Sequence, residues 1–231
     1  MLAPLNSVAA GLTVLAVLAT TFTSAAAADP ADHPSREAVF DAFYSDWRPL
    51  LGVPTGWSGD LRACADHGPT PKGRQASLAA VNYFRELAGL EPVTQDPVAN
   101  AKAQQAALMM AAEGDLSHRP SADWACYSDV GADAAAHSNL ALGTTGPEGI
   151  ENFLYDWGAG NEAAGHRRWL LDPGQQSMGF GIVGEGRRFG AIGDAMAVWV
   201  LNPRVAPATA PALIGWPTAG YFPVQFEPGG R

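Results

Sequence analysis

Residues 165–202 read GHRRWLLDPGQQSMGFGIVGEGRRFGAIGDAMAVWVLN. The first part predicts a short helix over Gly165–Leu171. From Met178 the hydrophobic period changes, and two apolar runs, GFGIV and AMAVWVLN, flank a turn rich in glycine and arginine. Two apolar runs separated in this way predict a β-hairpin. The part of the chain with a regular hydrophobic periodicity therefore ends in strands.

Helical patterns precede this hairpin. Four segments have apolar residues at helical spacing or helix start signals: from Ser35 to Pro49, over Gln75–Leu87, from Asp96 to about Glu113, and from Pro147 through Trp157. The segments Leu51–Lys72 and Leu116–Gly146 are predicted as loops. Because the helices come first and the strands last, without alternation, the order predicts an α+β fold rather than a doubly wound sheet.

The composition indicates a folded domain with an acidic surface. The chain has 231 residues, of which 47% are hydrophobic and 16% charged, and its 14 Lys and Arg stand against 23 Asp and Glu, for a net charge of -9. A chain of this length and apolar content buries a sizeable core. Because phosphate backbones are bound by basic faces, no nucleic-acid partner is expected.

The beginning of the chain has the features of a secretory signal peptide. Residues 1–28 carry no charged side chain, and the apolar run Val8–Phe22 is followed by small residues. Such a run is about five residues short of a membrane span, so we expect cleavage, export and no transmembrane segment afterwards. A retained anchor is the alternative, since the leading residues lack the usual Lys or Arg. The predicted division is a signal peptide at 1–28, an N-terminal helix and loop at 29–74, a main domain at 75–202 and a proline-rich tail at 203–231.

The predicted export of the protein bears on the redox state of its two cysteines. In an oxidising compartment Cys64 and Cys126 are expected to form one disulfide, which closes a loop of about 60 residues and stabilises the fold by about 3–4 kcal/mol. Two buried free thiols are the alternative.

One familiar motif does not support a function here. Residues 179–184 satisfy the pattern G-x-G-x-x-G, but a dinucleotide site needs a strand before it and a helix after it. These glycines lie inside a predicted strand. The sequence also lacks H-E-x-x-H, G-x-S-x-G and the P-loop, which removes the commonest zinc-protease, serine-hydrolase and nucleoside-triphosphatase interpretations.

Several short stretches together resemble the CAP superfamily of cysteine-rich secretory proteins, antigen 5 and pathogenesis-related proteins, in a bacterial-type secreted form. The stretches, in chain order, are VNYFRELAGL at 81–90, Leu116-Ser117-His118, Ser138-Asn139-Leu140-Ala141, the helical set Ile150, Phe153 and Asp156, Gly165-His166-Arg167, and the strand residues Val183 and Trp199. The resemblance covers about Ser77–Leu201. It implies a three-layer α-β-α sandwich, here with an extended proline-rich C-terminal tail, and assigns 75–202 to the CAP-like domain.

The resemblance also implies a solvent cleft lined by two histidines and two acidic residues. Matched to this sequence, the histidines are His118 and His166 and the second acid is Asp156, while Ser138 stands at the first acidic position. His137, next to Ser138, is a further candidate for the cleft lining. Two imidazoles and one carboxylate are sufficient ligands for a divalent cation such as zinc. The alternative is that the histidines only form hydrogen bonds within a polar cleft.

The expected function is therefore a secreted, non-enzymatic module that binds an extracellular ligand, which the family suggests to be a lipid, a sterol or a protein. A metal-dependent hydrolase or peptidase that uses His118, His166 and Asp156 is the alternative. A third interpretation is a cell-envelope protein whose proline-rich tail attaches to a surface. No catalytic residue is predicted, because the sequence offers no clear general base or substrate-orienting group.

Overall fold

The structure is a computed structural model that describes residues 33–158, 161, 163–184, 193–203, 205 and 213–227. The predicted signal peptide at 1–28 lies outside these residues. The helices are α1 (Arg36–Ala42), α2 (Pro71–Leu87), α3 (Pro97–Glu113), α4 (Asp129–Ala136), α5 (Gly146–Tyr155) and α6 (Gly165–Leu170). The strands are β1 (Gly59–Asp60), β2 (Ala65–Asp66), β3 (Thr94–Gln95), β4 (Ser138–Leu142), β5 (Ser177–Val183) and β6 (Ala195–Trp199).

The main sheet has four strands in the order β3-β5-β6-β4. β5 and β6 pair antiparallel, with Gly179 opposite Trp199 and Val183 opposite Ala195, which confirms the predicted hairpin. β4 pairs antiparallel with the other edge of β6, and β3 pairs parallel with the start of β5.

The loop prediction for Leu116–Gly146 is wrong over its second half, which forms α4 and β4. Ser128 caps α4 by accepting a hydrogen bond from the backbone of Gly131 at 3.0 Å. The helix is not predicted from the sequence because it is short and rich in alanine and has no strong amphipathic pattern.

Helix layers cover both faces of the sheet. Because side chains alternate along a strand, Met178, Phe180 and Ile182 face one layer while Val183 faces the other. The first layer consists of α2 and α5, whose apolar side chains share a core cluster with those three strand residues. The second layer consists of α3 and α4, which pack with Val183 and the small residues of β6. The α+β, three-layer architecture is thereby confirmed.

Helix α3 lies unusually close to β5. The helix begins where Asp96 accepts hydrogen bonds from the backbone of Val98 and Ala99, as the Asp-Pro start signal predicts. A Cβ atom built on Gly179 or Gly181 would overlap backbone atoms of the facing alanines of α3. The G-x-G pattern therefore serves close packing of a helix on a strand and not phosphate binding.

Polar side chains of α3 form hydrogen bonds with the backbone groups at the open edge of β5. Strand β3 is only two residues long, so it leaves the backbone of Phe180 and Ile182 without a strand neighbour on that side. Asn100 Oδ1 accepts from the Phe180 amide at 2.7 Å, and Gln104 bonds both the amide and the carbonyl of Ile182 at 2.8 Å. Arg74 donates to the Phe180 carbonyl at 3.3 Å. An edge covered in this way cannot add a foreign strand.

The N-terminal segment and the C-terminal tail meet on the outer side of α2. Ser35 caps α1, and the helix continues through a π-turn at Phe43–Trp47 and a short 3-10 turn at Arg48–Leu50. The helix predicted over Gln75–Leu87 starts earlier, at Pro71, because Thr70 caps it by accepting from the Gly73 amide.

The described part of the tail packs against this surface. The Phe226 ring is 2% exposed and lies 5.0–5.9 Å, centroid to centroid, from four other rings, those of Phe43, Trp47, Tyr83 and Phe84. The Tyr155 hydroxyl also donates to the Gln225 carbonyl. Burial of a phenylalanine side chain stabilises a fold by about 1.5–3 kcal/mol, so this contact fastens the tail to the domain.

A disulfide joins Cys64 and Cys126 across a sequence separation of 62 residues, which confirms the predicted pairing. It ties the segment around β1 and β2 to the segment that follows α3. Within the part of the chain that the structure describes, no helix is both long enough and apolar enough to cross a membrane.

We expect Phe226→Ala to lower the free energy of unfolding by about 3–5 kcal/mol, because truncation leaves a cavity among four packed aromatic rings. The matched control is Val224→Ala in the same short turn, whose side chain is 71% exposed and whose loss is expected to change stability by less than about 0.5 kcal/mol. Equilibrium denaturation of both variants measures the difference. Equal stability of the two variants would contradict the docking of the tail.

Candidate functional site

A buried aspartate ends helix α5. Asp156 adopts the left-handed conformation, with φ 55°, and its backbone amide donates to the Asn152 carbonyl. Aspartate tolerates this conformation better than most residues do. The turn directs the carboxylate toward the start of α6, where the Asp156 side chain is only 1% exposed.

His166 lies in the first turn of α6, directly after Gly165. Its Nδ1 atom is 2.6 Å from Asp156 Oδ1, and the amide of Arg167 donates to Asp156 Oδ2 at 3.3 Å. Both carboxylate oxygens are thus engaged by α6. The His166 ring, 26% exposed, lies 5.2 Å from the ring of Phe153, so one face of the imidazole is against the apolar core.

Two further contacts hold the start of α6. Asn139 in β4 donates its side-chain amide to the His166 carbonyl at 3.0 Å, which links the sheet to the helix. Arg167 donates to the Leu154 carbonyl at 2.8 Å, and burial lowers the pKa of Arg167, an effect that the nearby Asp156 carboxylate opposes. The helix start is therefore positioned from both α5 and β4.

The other end of α6 is held by a buried arginine. The Arg85 side chain in α2 is fully buried and donates to the backbone carbonyls of Glu91, Leu170 and Asp172 at 2.8–3.0 Å. Burial lowers the pKa of Arg85 to about 10. Because carbonyls rather than a carboxylate receive this guanidinium, its function is to fix the backbone after α6.

His118 reaches the same region from a different element. It lies in the loop after α3, is exposed, and has its Nδ1 atom 2.7 Å from the carbonyl oxygen of Ala135 in α4. A carbonyl oxygen can only accept, so Nδ1 of His118 carries the proton. The Asp156 carboxylate fixes the proton on Nδ1 of His166 in the same way. In its neutral form each imidazole then has Nε2 as its acceptor, and neither Nε2 forms a hydrogen bond with another described residue.

The two imidazoles lie where two cavities adjoin. The larger cavity, of about 510 Å³, is lined by apolar and polar residues of the loop after α3, β4 and α5, among them Ser117 and Asn152, together with Asp156. The smaller cavity, of about 300 Å³, is lined by His137, Ser138 and the residues that follow β6. His118, Asn161 and His166 line both cavities. We call the two cavities together the cleft. The five residues predicted for it all line it, and Asn161 and Asn139 are further residues that sequence reasoning missed.

The remaining two predicted residues differ in their surroundings. Ser138 is buried, and its Oγ has no hydrogen-bond partner among the described residues. The His137 ring stacks on Trp199, with centroids 4.7 Å apart and planes 6° from parallel, and its Nδ1 lies 2.7 Å from the Asp133 carbonyl. Lys102 lies 4.9 Å from the centre of the same indole and pairs with the Asp133 carboxylate at 3.1 Å. His137 thus belongs to a surface cluster at the rim of the cleft.

The side chains of the cleft determine whether it can coordinate a divalent metal ion. Among the described residues, no group of three His, Cys, Asp or Glu side chains is arranged to hold a metal ion. Asp156 directs both of its oxygens to α6, as a residue that orients an imidazole does. A three-ligand site is therefore not formed by this arrangement. Glu162, an acid near His166 in sequence, lies outside the described residues.

Comparison with known protein families matches residues 78–202 to the cysteine-rich secretory protein family, CAP. The chain belongs to the CAP family. The match runs from α2 to the end of the β5–β6 hairpin and includes His118, Asp156 and His166. No curated protein and no solved structure matches the chain in the corresponding comparisons.

The hydrogen bonds of the two cleft histidines determine which tautomer each imidazole adopts, and NMR spectroscopy can test this. In mildly alkaline solution we expect both His118 and His166 to carry the proton on Nδ1, because each Nδ1 has a fixed acceptor. Asp156→Gly keeps the left-handed turn and removes the carboxylate, so His166 is expected to lose this preference while His118 keeps it. Ring-nitrogen NMR shifts report the tautomer. A His166 proton on Nε2 in the wild-type protein would rule out the carboxylate contact as described.

Proposed function

We propose that this CAP-family protein is a secreted, non-enzymatic binding module whose cleft holds an extracellular ligand. The observation that supports this function is that His118 and His166 both bond through Nδ1 to the protein, while neither Nε2 is bonded to a described residue where the two cavities adjoin. Two fixed acceptors inside a concave site are suited to orient a ligand that donates hydrogen bonds.

The lining of the larger cavity supports an apolar ligand. Leucines of the loop after α3 and of β4, together with Phe153 and the half-exposed Trp157, form its walls. Apolar walls with a few convergent polar groups are typical of sites for small apolar molecules that carry a hydroxyl. A sterol or lipid alcohol therefore fits this cleft better than a protein segment, which needs a larger contact surface.

Export is part of the proposal. The charge-free apolar beginning of the sequence, the Cys64–Cys126 disulfide and membership of the CAP family all favour a protein that acts outside the cell. The ligand would accordingly be met at a cell surface or in the extracellular medium.

Energy transfer from tryptophan to the fluorescent sterol dehydroergosterol tests the cleft. We expect saturable transfer with the wild-type protein, and an affinity about fivefold lower in either His118→Ala or His166→Ala, because the single sterol hydroxyl donates to one of the two imidazoles and that variant removes its acceptor. His67→Ala is the control, since His67 is exposed and does not line the cleft. Equal affinity in all four proteins, or no transfer in any, would argue against a sterol site at these imidazoles.

The zinc prediction is tested separately by calorimetric titration. We expect zinc to bind the wild-type protein only weakly, without saturation at one equivalent, because two imidazoles leave the coordination sphere incomplete. The double variant His118→Ala/His166→Ala is the comparison. Saturation at one equivalent in the wild-type protein alone would instead support a metal centre, and with it the alternative of a metal-dependent hydrolase.

A further inference from the structure

A separate cavity of about 440 Å³ lies between α6, the segment that follows it and the C-terminal tail. We call it the arginine pocket and define it by Arg167, Arg168, Trp169, Asp172, Ile214 and Trp216. Trp169 lines both this pocket and the smaller cavity of the cleft. The two imidazoles of the cleft do not line the arginine pocket, so it has its own chemistry.

The charge of the pocket is opposite to that of the whole chain. Neither Arg167 nor Arg168 forms an ion pair with a carboxylate in the part of the chain that the structure describes. One nitrogen of Arg167 donates to the Leu154 carbonyl, whereas Arg168 is exposed. Asp172 is the carboxylate in the lining, and its Oδ1 accepts from the Gly174 amide at 2.8 Å. Two guanidinium groups against one carboxylate among the described lining residues favour an anionic ligand.

The rest of the lining is apolar and aromatic. Leu171 and Pro173 come from the segment after α6, and Ile214 and Trp216 come from the tail. The Trp216 ring is held edge-on against Phe84 and Phe222, with centroids 5.8 and 5.0 Å apart. A rigid indole opposite aliphatic side chains offers a flat apolar contact surface.

We propose that the arginine pocket binds small aromatic carboxylates. A guanidinium presents two parallel N–H donors that match the two oxygens of a carboxylate, and the exposed Arg168 side chain forms no hydrogen bond or ion pair with another described residue. The aromatic ring of the ligand packs against the Trp216 indole and the aliphatic side chains of the pocket lining. This site is independent of the proposed sterol function, since none of its polar groups is a cleft imidazole.

Titration calorimetry with indole-3-acetate and its neutral amide, indole-3-acetamide, tests the proposal on the whole protein. We expect the carboxylate to bind at least about tenfold more tightly than the amide, because only the carboxylate forms charge-assisted hydrogen bonds. Arg168→Gln should lower the affinity for the carboxylate to that for the amide and leave the amide unaffected. Arg62→Gln removes the same charge from an exposed site outside the pocket and should change neither.

Three results would overturn the proposal. The first is equal affinity for the carboxylate and the amide, or no binding of either. The second is an unchanged carboxylate affinity in Arg168→Gln. The third is a loss of carboxylate binding in the double variant His118→Ala/His166→Ala, which would assign the ligand to the cleft instead.

Discussion

Gly179 and Gly181 allow the backbone of β5 to lie directly against the alanine face of α3, where any side chain would overlap helix backbone. This close approach brings Asn100 and Gln104 within reach of the strand edge, which they could not contact across a normal helix–sheet spacing. The helix and the strand are therefore joined both by van der Waals contact and by backbone hydrogen bonds. The sheet, the second helix layer and the loop that carries His118 all extend from this pair of elements.

The cleft depends on elements that are distant in sequence. His118 comes from the loop after α3, Asp156 from the end of α5 and His166 from the start of α6. Each imidazole is oriented by a protein acceptor, a carbonyl for one and a carboxylate for the other. Membership of the CAP family fixes the architecture but not the ligand, because one fold supports many functions. The proposed binding role rests on two Nε2 atoms without a hydrogen bond to any described residue and on the apolar part of the cleft lining.

The sequence predicts the parts of the fold that depend on local pattern. The Asp96-Pro97 start of α3, the hairpin after Met178 and the Cys64–Cys126 bridge follow from local signals or from chemistry. Helix α4 escapes prediction because it is short and rich in alanine, and its stability comes from packing on α3. Strand β3 has only two residues and is defined by its neighbour. The membership of the cleft could be predicted from the family resemblance, whereas the engagement of Asp156 with α6 is a tertiary geometry that no spacing reveals.

The two walls of the cleft are attached to the domain in different ways. His166 stands on a helix whose two ends are fastened by Asp156, Asn139 and the buried Arg85. His118 stands on an exposed loop that is secured by one hydrogen bond to Ala135 and, farther along, by Cys126. Substitutions in that loop can reshape one wall at little cost to folding, while substitutions beneath α6 disturb the core. The His118 side of the cleft therefore tolerates sequence change at a lower cost in stability than the His166 side.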